Sequence, residues 1–342
     1  MEKILVLMNP EADGTLGRPA LEALAAAKEL SAALGGSPWA AGLWGADVRK
    51  AADSVAGCGA SELYGVAGPD FAGPRYASDA AAAEAIARAA GAAVVLAPGT
   101  SRMARVLPGA AHRLGGRADA HVTALQAGPD GIAASRGYYR QRIEAVISRA
   151  ARPWWVSLEP GSRAPLAPAP GSARIQAVAV NLVDAARRTK VEGFRDPQGG
   201  GQTIRPDAKL LFVAGAGWTK KQAAGQVRTE EAEKLIREFL QKTQASLGSS
   251  KSLVDQKGEG QGVISFLTHL NQVGQTGSTP RHPKGLATCC HGEEPHVVGW
   301  RFIPQRRAVN LDPNCGWARG KADVVYVADA FEVMAKVNAL LS

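Results

Sequence analysis

The sequence predicts an α/β protein made of two doubly wound domains, and three observations carry that prediction. Apolar runs of strand length alternate with Ala- and Leu-rich helical stretches from the first residues onward. A second alternation of the same kind starts near Pro206. Between them, Asp196–Gln202 holds the run Pro-Gln-Gly-Gly-Gly-Gln, the strongest linker signal in the chain. Alternation of this sort places parallel strands beneath helices on both faces. The 342 residues are enough for two or three domains at roughly 150 residues each. The expected domains are 1–200 and 206–342.

In order, Ile4–Met8 reads as the first strand, and Ala20–Leu34 as a helix closed by Gly35-Gly36, followed by the apolar run Trp39–Trp44. A helix near Val48–Ala56 leads to the strand Glu62–Val66. The helix Ala80–Ala90 is expected to be entered through Ser78-Asp79 as its cap. Ala93–Leu96 is a strand, and Thr100-Ser101 caps a helix running towards Leu114. From His121 to Leu158 the runs Val122–Leu125, Ile143–Ile147 and Trp154–Leu158, with the turn Gly128-Pro129-Asp130-Gly131, predict an antiparallel addition. Trp154 and Trp155 are expected to be exposed there as anchors for a partner. Pro160–Ser172 is a proline-rich connector, and Ile175–Val183 a last strand. The second domain opens with the strand Lys209–Val213, the turn Gly215-Ala216-Gly217-Trp218 and a charged helix over Thr229–Ala245. Leu253-Val254, Gly285–Thr288, Arg307–Asn310 and Val324–Val327 are its later strands, and Phe331–Leu341 is a closing amphipathic helix.

Composition narrows the function. With 46% apolar and 21% charged residues the chain has the makeup of a folded protein. No stretch reaches the ~20 apolar residues of a membrane-spanning helix, and the opening strand leaves no room for a signal peptide, so a cytoplasmic location is expected. The four cysteines, Cys58, Cys289, Cys290 and Cys315, form no C-x-x-C pair and are expected to be reduced. Forty basic against 31 acidic side chains give a net charge of +9, yet residues 1–100 carry −4. No aromatic-interleaved basic stripe accompanies the excess, so a nucleic-acid partner is not expected.

Several segments hold groups suited to a ligand. Gly248-Ser249-Ser250-Lys251 offers hydroxyls, amides and a cation, the groups that hold phosphate or developing negative charge, although a solvated Ser-rich loop is an equal reading. Gln272-Val273-Gly274-Gln275-Thr276-Gly277 can present amides and a hydroxyl to a flat heterocycle brought close by its glycines; a plain turn is the alternative. Asn310 ends a strand, where doubly wound sheets line their ligand crevice; an Asx turn into Pro313 is the other reading. Cys289-Cys290-His291 with His296 lacks a second ligand pair, so no metal site is expected. No hydrolytic triad, metalloprotease helix or phosphate-transfer loop is present.

Taken in order, Val213–Gly217, Gly248–Lys251, Gln272–Gly277, His296, Asn310–Pro313 and Ala328-Asp329-Ala330-Phe331 resemble the pattern of the alpha subunit of electron transfer flavoprotein. The first half fits as well, through Ile4–Leu7, Ala93–Leu96, Thr100-Ser101 and Ala118–Leu125. The chain departs from that pattern at Lys251, where the family has arginine, at Trp218 in the Gly-rich turn, at His291 in the Ile-Ser-Gly turn, and at Pro295 before His296. The resemblance implies a Rossmann-like C-terminal domain that binds FAD and an electron carrier without substrate turnover of its own. It implies a beta subunit as partner, dehydrogenases as donors and a quinone oxidoreductase as acceptor. It further implies FAD contacts from Ser250, Lys251, Gln272, Val273, Gln275, Thr276, Gly277, His291, His296, Asn310 and Asp329. A flavin-free structural subunit that kept the fold is the alternative.

Overall fold

The computed structural model describes residues 2–128, 131–138, 143–194, 204–205, 208–222, 224–255, 263–274, 277–278, 280–288, 303–313 and 322–341. The chain divides into two units, Met1–Phe194 and Arg195–Ser342.

In the first unit, short apolar runs rich in Val, Leu and Trp form strands β1 (Ile4–Met8), β2 (Trp39–Gly45), β3 (Glu62–Ala67), β4 (Val94–Pro98) and β8 (Trp154–Leu158). Longer Ala-rich segments form helices α1 (Arg18–Ala33), α3 (Tyr76–Ala90) and α4 (Ser101–Arg113), with the short α2 (Arg49–Ser54) between β2 and β3. A nine-stranded sheet has the order β7-β6-β5-β8-β4-β1-β2-β3-β9, where β5 is Arg117–Gly128, β6 Gly131–Tyr138, β7 Ile143–Ser148 and β9 Ile175–Ala177. Only β6 and β7 run antiparallel to their neighbours. Strands whose residues alternate between two covered faces need apolar side chains on both, which is why β1, β4 and β8 are buried throughout. Ile4, Val6 and Met8 pack with α1 and α2 residues on one face, while Leu5 and Leu7 pack with α3 and α4 residues on the other.

Four expectations are corrected here. Trp154–Leu158 belongs to the parallel part of the sheet, between β4 and β5. Trp154 and Trp155 therefore point to opposite faces and are wholly buried, and neither can anchor a partner. Helix α3 begins at Tyr76, ahead of Ser78-Asp79. Asp79 does not cap it, because its carboxylate is drawn into the core by the Trp44 indole N–H (2.8 Å) and the Arg102 guanidinium (2.6 Å). The last strand ends at Ala177, where its pairing with β3 runs out, and Val178, Val180 and Leu182 continue as packing residues against the sheet.

The second unit is built on β10 (Leu210–Ala214), β11 (Ser246–Ser249), β12 (Lys284–Thr288), β13 (Gln305–Asn310) and β14 (Val324–Val327), all parallel, in the order β11-β10-β12-β13-β14. Helices α5 (Thr229–Thr243), α6 (Lys251–Asp255) and α7 (Ala330–Leu340) pack on the Phe212, Ala214 and Leu247 side. Leu253-Val254 lies in α6 and not in a strand: Ser250 Oγ accepts the Leu253 N–H at 3.3 Å and starts a helical turn directly after β11. No helix among the described residues is long and apolar enough to cross a membrane. The linker signal at Asp196–Gln202 lies outside the described residues.

Candidate functional site

From β10 the chain passes to β11 on one side and then returns to β12 on the other, so strand order reverses between β10 and β12. The crevice of a doubly wound sheet opens at the carboxyl ends of the strands around such a reversal. Three segments of this sequence meet there. The Ser250 amide donates to Ala214 O at 2.9 Å, which ties the start of α6 to the end of β10. The Val273 amide donates to Ser249 O at 3.1 Å, so the stretch that follows His269–Asn271 joins the end of β11. The Gly215 amide donates to Thr288 O at 2.8 Å and closes the Gly-rich turn on β12.

Gln272–Ser278 is positioned by two turns. On its near side Thr268 and Asn271 cap each other: the Thr268 amide donates to Asn271 Oδ1 at 2.9 Å, and Thr268 Oγ1 accepts the Leu270 amide. This fixes the entry to Gln272, which is buried. On the far side the Ser278 amide donates to Gln272 O at 2.8 Å and the Gly274 amide to Ser278 O at 2.9 Å. Gly274 adopts φ +112°, a region that disfavours any residue with a Cβ. At Gly277 a Cβ would lie 2.1 Å from Gln272 O, so the loop closes this tightly only with glycine.

Of the eleven residues the resemblance singles out, Ser250, Lys251, Gln272, Val273 and Gly277 come together at the end of β11. Asn310 ends β13, three strand spacings away in the same sheet, or about 14 Å. Its Oδ1 accepts the Asp312 amide at 3.2 Å, the Asx turn expected as the alternative. Asp329 follows β14 and caps α7 by accepting the Phe331 amide at 2.7 Å. Gln275, Thr276, His291 and His296 lie outside the described residues, as do Cys289, Cys290, Cys315 and Pro295.

Two features of the site give no clear sign in the sequence. Trp218 is wholly buried at the turn after β10, its indole N–H donating to Thr288 Oγ1 at 2.8 Å and its ring edge-on to Phe331. The Thr288 hydroxyl in turn donates to Val213 O at 3.2 Å. Ser249 Oγ is buried at the end of β11 with no hydrogen-bond partner among the described residues. Lys251 is half exposed and its ammonium sits 2.7 Å from Asp255 Oδ2, four residues on. Asp255 beside it holds the ammonium above the usual lysine range.

A doubly wound sheet with polar loops gathered at the carboxyl ends of its strands is an α/β architecture whose ligand crevice, where it has one, lies at that edge. The model of the electron transfer flavoprotein domain matches residues 4–184, more than half of the chain, and the chain belongs to that family. Members of this family are electron carriers. A search of curated proteins returned no match.

Proposed function

We propose that the chain is the alpha subunit of an electron transfer flavoprotein, holding FAD at the carboxyl edge of the second unit's sheet and pairing with a beta subunit. The observation that carries this reading is the joining of Ser250-Lys251 to Gln272–Gly277 at the end of β11. The fit to a flavin rests on this chain's own groups: a glycine loop that admits close approach, the unpartnered Ser249 hydroxyl, and a cation at Lys251. The 14 Å from there to Asn310, estimated from strand spacing, suits an extended dinucleotide better than a mononucleotide.

When bound, FAD accepts electrons from a dehydrogenase and releases them to a quinone-linked acceptor, and the protein tunes that exchange. Ser250, Gln272, Gln275 and the Val273 and Gly277 backbone hold the ring and chain, with Thr276 donating at the ring's reactive edge. Lys251 would set positive charge where negative charge develops, His296 would stand near that edge with His291 as a further contact, and Asn310 and Asp329 would serve the nucleotide end. Lysine is a point charge where arginine is a flat fork, so Lys251 gives up planar contact with the ring.

Titration of FAD into the purified heterodimer tests the reading. FAD should bind in the micromolar range or tighter, and Lys251→Arg should tighten it. The loss of one charge-assisted contact is on the order of 2 kcal/mol, about thirtyfold in affinity. No binding at ten micromolar protein overturns the reading in favour of a flavin-free structural subunit. Trp218 packed into the β10–β12 reversal and Lys251 engaged by Asp255 are the observations that favour that second reading.

A further inference from the structure

We propose that Asp255 is a tuning residue of the flavin site: its carboxylate holds the Lys251 ammonium along α6 and so sets how much positive charge the end of β11 presents to a reduced flavin. This role rests on the flavin reading above. Asp255 is a positioning residue that acts through Lys251, not a contact to FAD.

Helix α6 follows β11 directly, with the Ser250 amide tied to Ala214 O and Ser250 Oγ accepting the Leu253 amide. Leu253 and Val254 are buried in the core, which fixes the rotation of this short helix. Residues four apart on a helix lie on one face. Lys251 and Asp255 are therefore neighbours on the open side of α6, with Nζ 2.7 Å from Oδ2 and both side chains partly exposed. The other carboxylate oxygen, Oδ1, lies 3.8 Å from Nδ1 of His269, on the turn that leads into Gln272. That turn is fixed in its own right by the Thr268–Asn271 cap. Asp255 thus stands between the two segments that meet at the end of β11, and it engages the cation there.

The pair adds little to the fold. Exposed ion pairs are weak, and lysine four residues ahead of its acid is the less favourable order on a helix. Asp255→Asn should therefore leave the melting temperature unchanged. What the pair changes is the charge on offer. An ammonium closed on a carboxylate is a dipole, whose field falls off faster with distance than that of a single charge. Freed from Asp255, the same ammonium can turn towards negative charge that develops on a bound ring. A pair of this exposure supplies at most about a fivefold preference for its closed form, which bounds the effect.

NMR of the full chain with lysine labelled at Cε, without FAD, tests the pair. Asp255 holds the Lys251 ammonium above the usual lysine range, so Asp255→Asn should lower its titration midpoint. Spectroelectrochemical titration with excess FAD and the beta subunit tests the tuning, on the parent, Asp255→Asn, Lys251→Gln and the double variant. All four are read at one pH, so that His269 carries the same charge throughout. Asp255→Asn should favour one-electron-reduced over oxidised flavin by about threefold to fivefold, a rise of about 30 to 40 mV. In the Lys251→Gln background the same replacement should raise the potential by about half as much or less, whereas a carboxylate acting directly through space gives equal shifts in both. An unmoved Lys251 titration overturns the proposal whether or not flavin binds. So do equal shifts in the two backgrounds, or a bound FAD whose potential Asp255→Asn leaves in place, and both outcomes leave the flavin reading standing. A parent that binds no FAD takes down the flavin reading, and the tuning role with it.

Discussion

Asp329 caps a helix, and the proposed contact with FAD would give the same side chain a second role. Its carboxylate accepts a free amide of the first turn of α7, that of Phe331, and aspartate is among the best residues for that position. Replacing it with alanine should cost about 1 kcal/mol of stability, while serine retains a capping oxygen. The proposed contact with the nucleotide end of FAD separates the two roles. Asp329→Ser should keep the melting temperature and lose FAD affinity, whereas Asp329→Ala should lose both. Thermal melts read beside FAD titrations check this, and a serine variant with full FAD affinity would leave Asp329 as a cap alone.

At the scale of elements, one buried carboxylate reinforces the β5–β8 pairing and ties β6 and the end of β7 to it. Asp119 is almost fully buried and receives Arg149 through two bonds of 2.9 Å and the Trp154 indole N–H at 2.9 Å, with Arg136 at 3.5 Å. Burial pushes the carboxyl up, but the bonds from Arg149 and Trp154 and the charges of Arg149 and Arg136 outweigh it, and the net pKa lies below the usual range. A depressed carboxyl adds stability that is present above its unfolded value, about 3.9, and is lost as pH falls through the folded value. Asp119→Asn should therefore cost about 2 to 3 kcal/mol at neutral pH, and the deficit should close as urea midpoints are measured below pH 4. An Asn variant as stable as the parent at pH 7 would remove Asp119 as the fastening.

Two residues beyond it, the strand bulges. The β5–β8 register shifts between Asp119 and Val122, and His121 takes φ +58° with Nδ1 set 2.8 Å from Glu159 Oε2. The bond to Glu159 raises the imidazole's pKa above its usual value, against the pull of burial. The sign is opposite to that of Asp119: the pair's contribution is complete below about pH 6.5 and fades as pH rises through the folded value. Urea midpoints should fall between pH 6 and pH 8 in the parent, and Glu159→Gln should flatten that slope.

These elements also mark what the sequence could tell. The strand runs Ile4–Met8 and Val324–Val327 stand where their apolar character put them, as does the Thr100 cap, whose Oγ1 accepts the Met103 amide. Leu253-Val254 misled because two apolar residues carry no period, and a Ser250 hydroxyl decided for helix. Trp154-Trp155 misled because exposure is a property of the sheet's order, in which β8 is inserted between β4 and β5 long after β4 in sequence. Gly248–Lys251, expected as a loop, is instead the end of β11 and the start of α6 with Ser250 between them; that it meets the turn at Gln272 was not legible, since the bond between the Val273 amide and Ser249 O joins segments more than twenty residues apart. The Trp218–Thr288 bond links residues seventy positions apart and has no local signal.

For the whole molecule, two units that each close their own sheet allow ligand binding to be read separately in each. A ligand that binds only the folded form stabilises by an amount set by its concentration over its dissociation constant, about 2.7 kcal/mol at a hundredfold ratio. In a domain of roughly 150 residues each kcal/mol moves the melting temperature by about 2 to 4 °C, so saturating FAD should raise the transition of the second unit by about 5 to 10 °C. The transition of the first unit should stay in place, since the proposed flavin contacts all belong to residues after Arg195. Differential scanning calorimetry with and without FAD measures both. Lys251 in place of an arginine predicts further that protein as purified carries less than one FAD per chain, and that incubation with excess FAD restores yellow colour and the upward shift together. If the first unit moves and the second does not, FAD is held elsewhere than at the end of β11, and the assignment of Ser250, Lys251 and Gln272 falls with it.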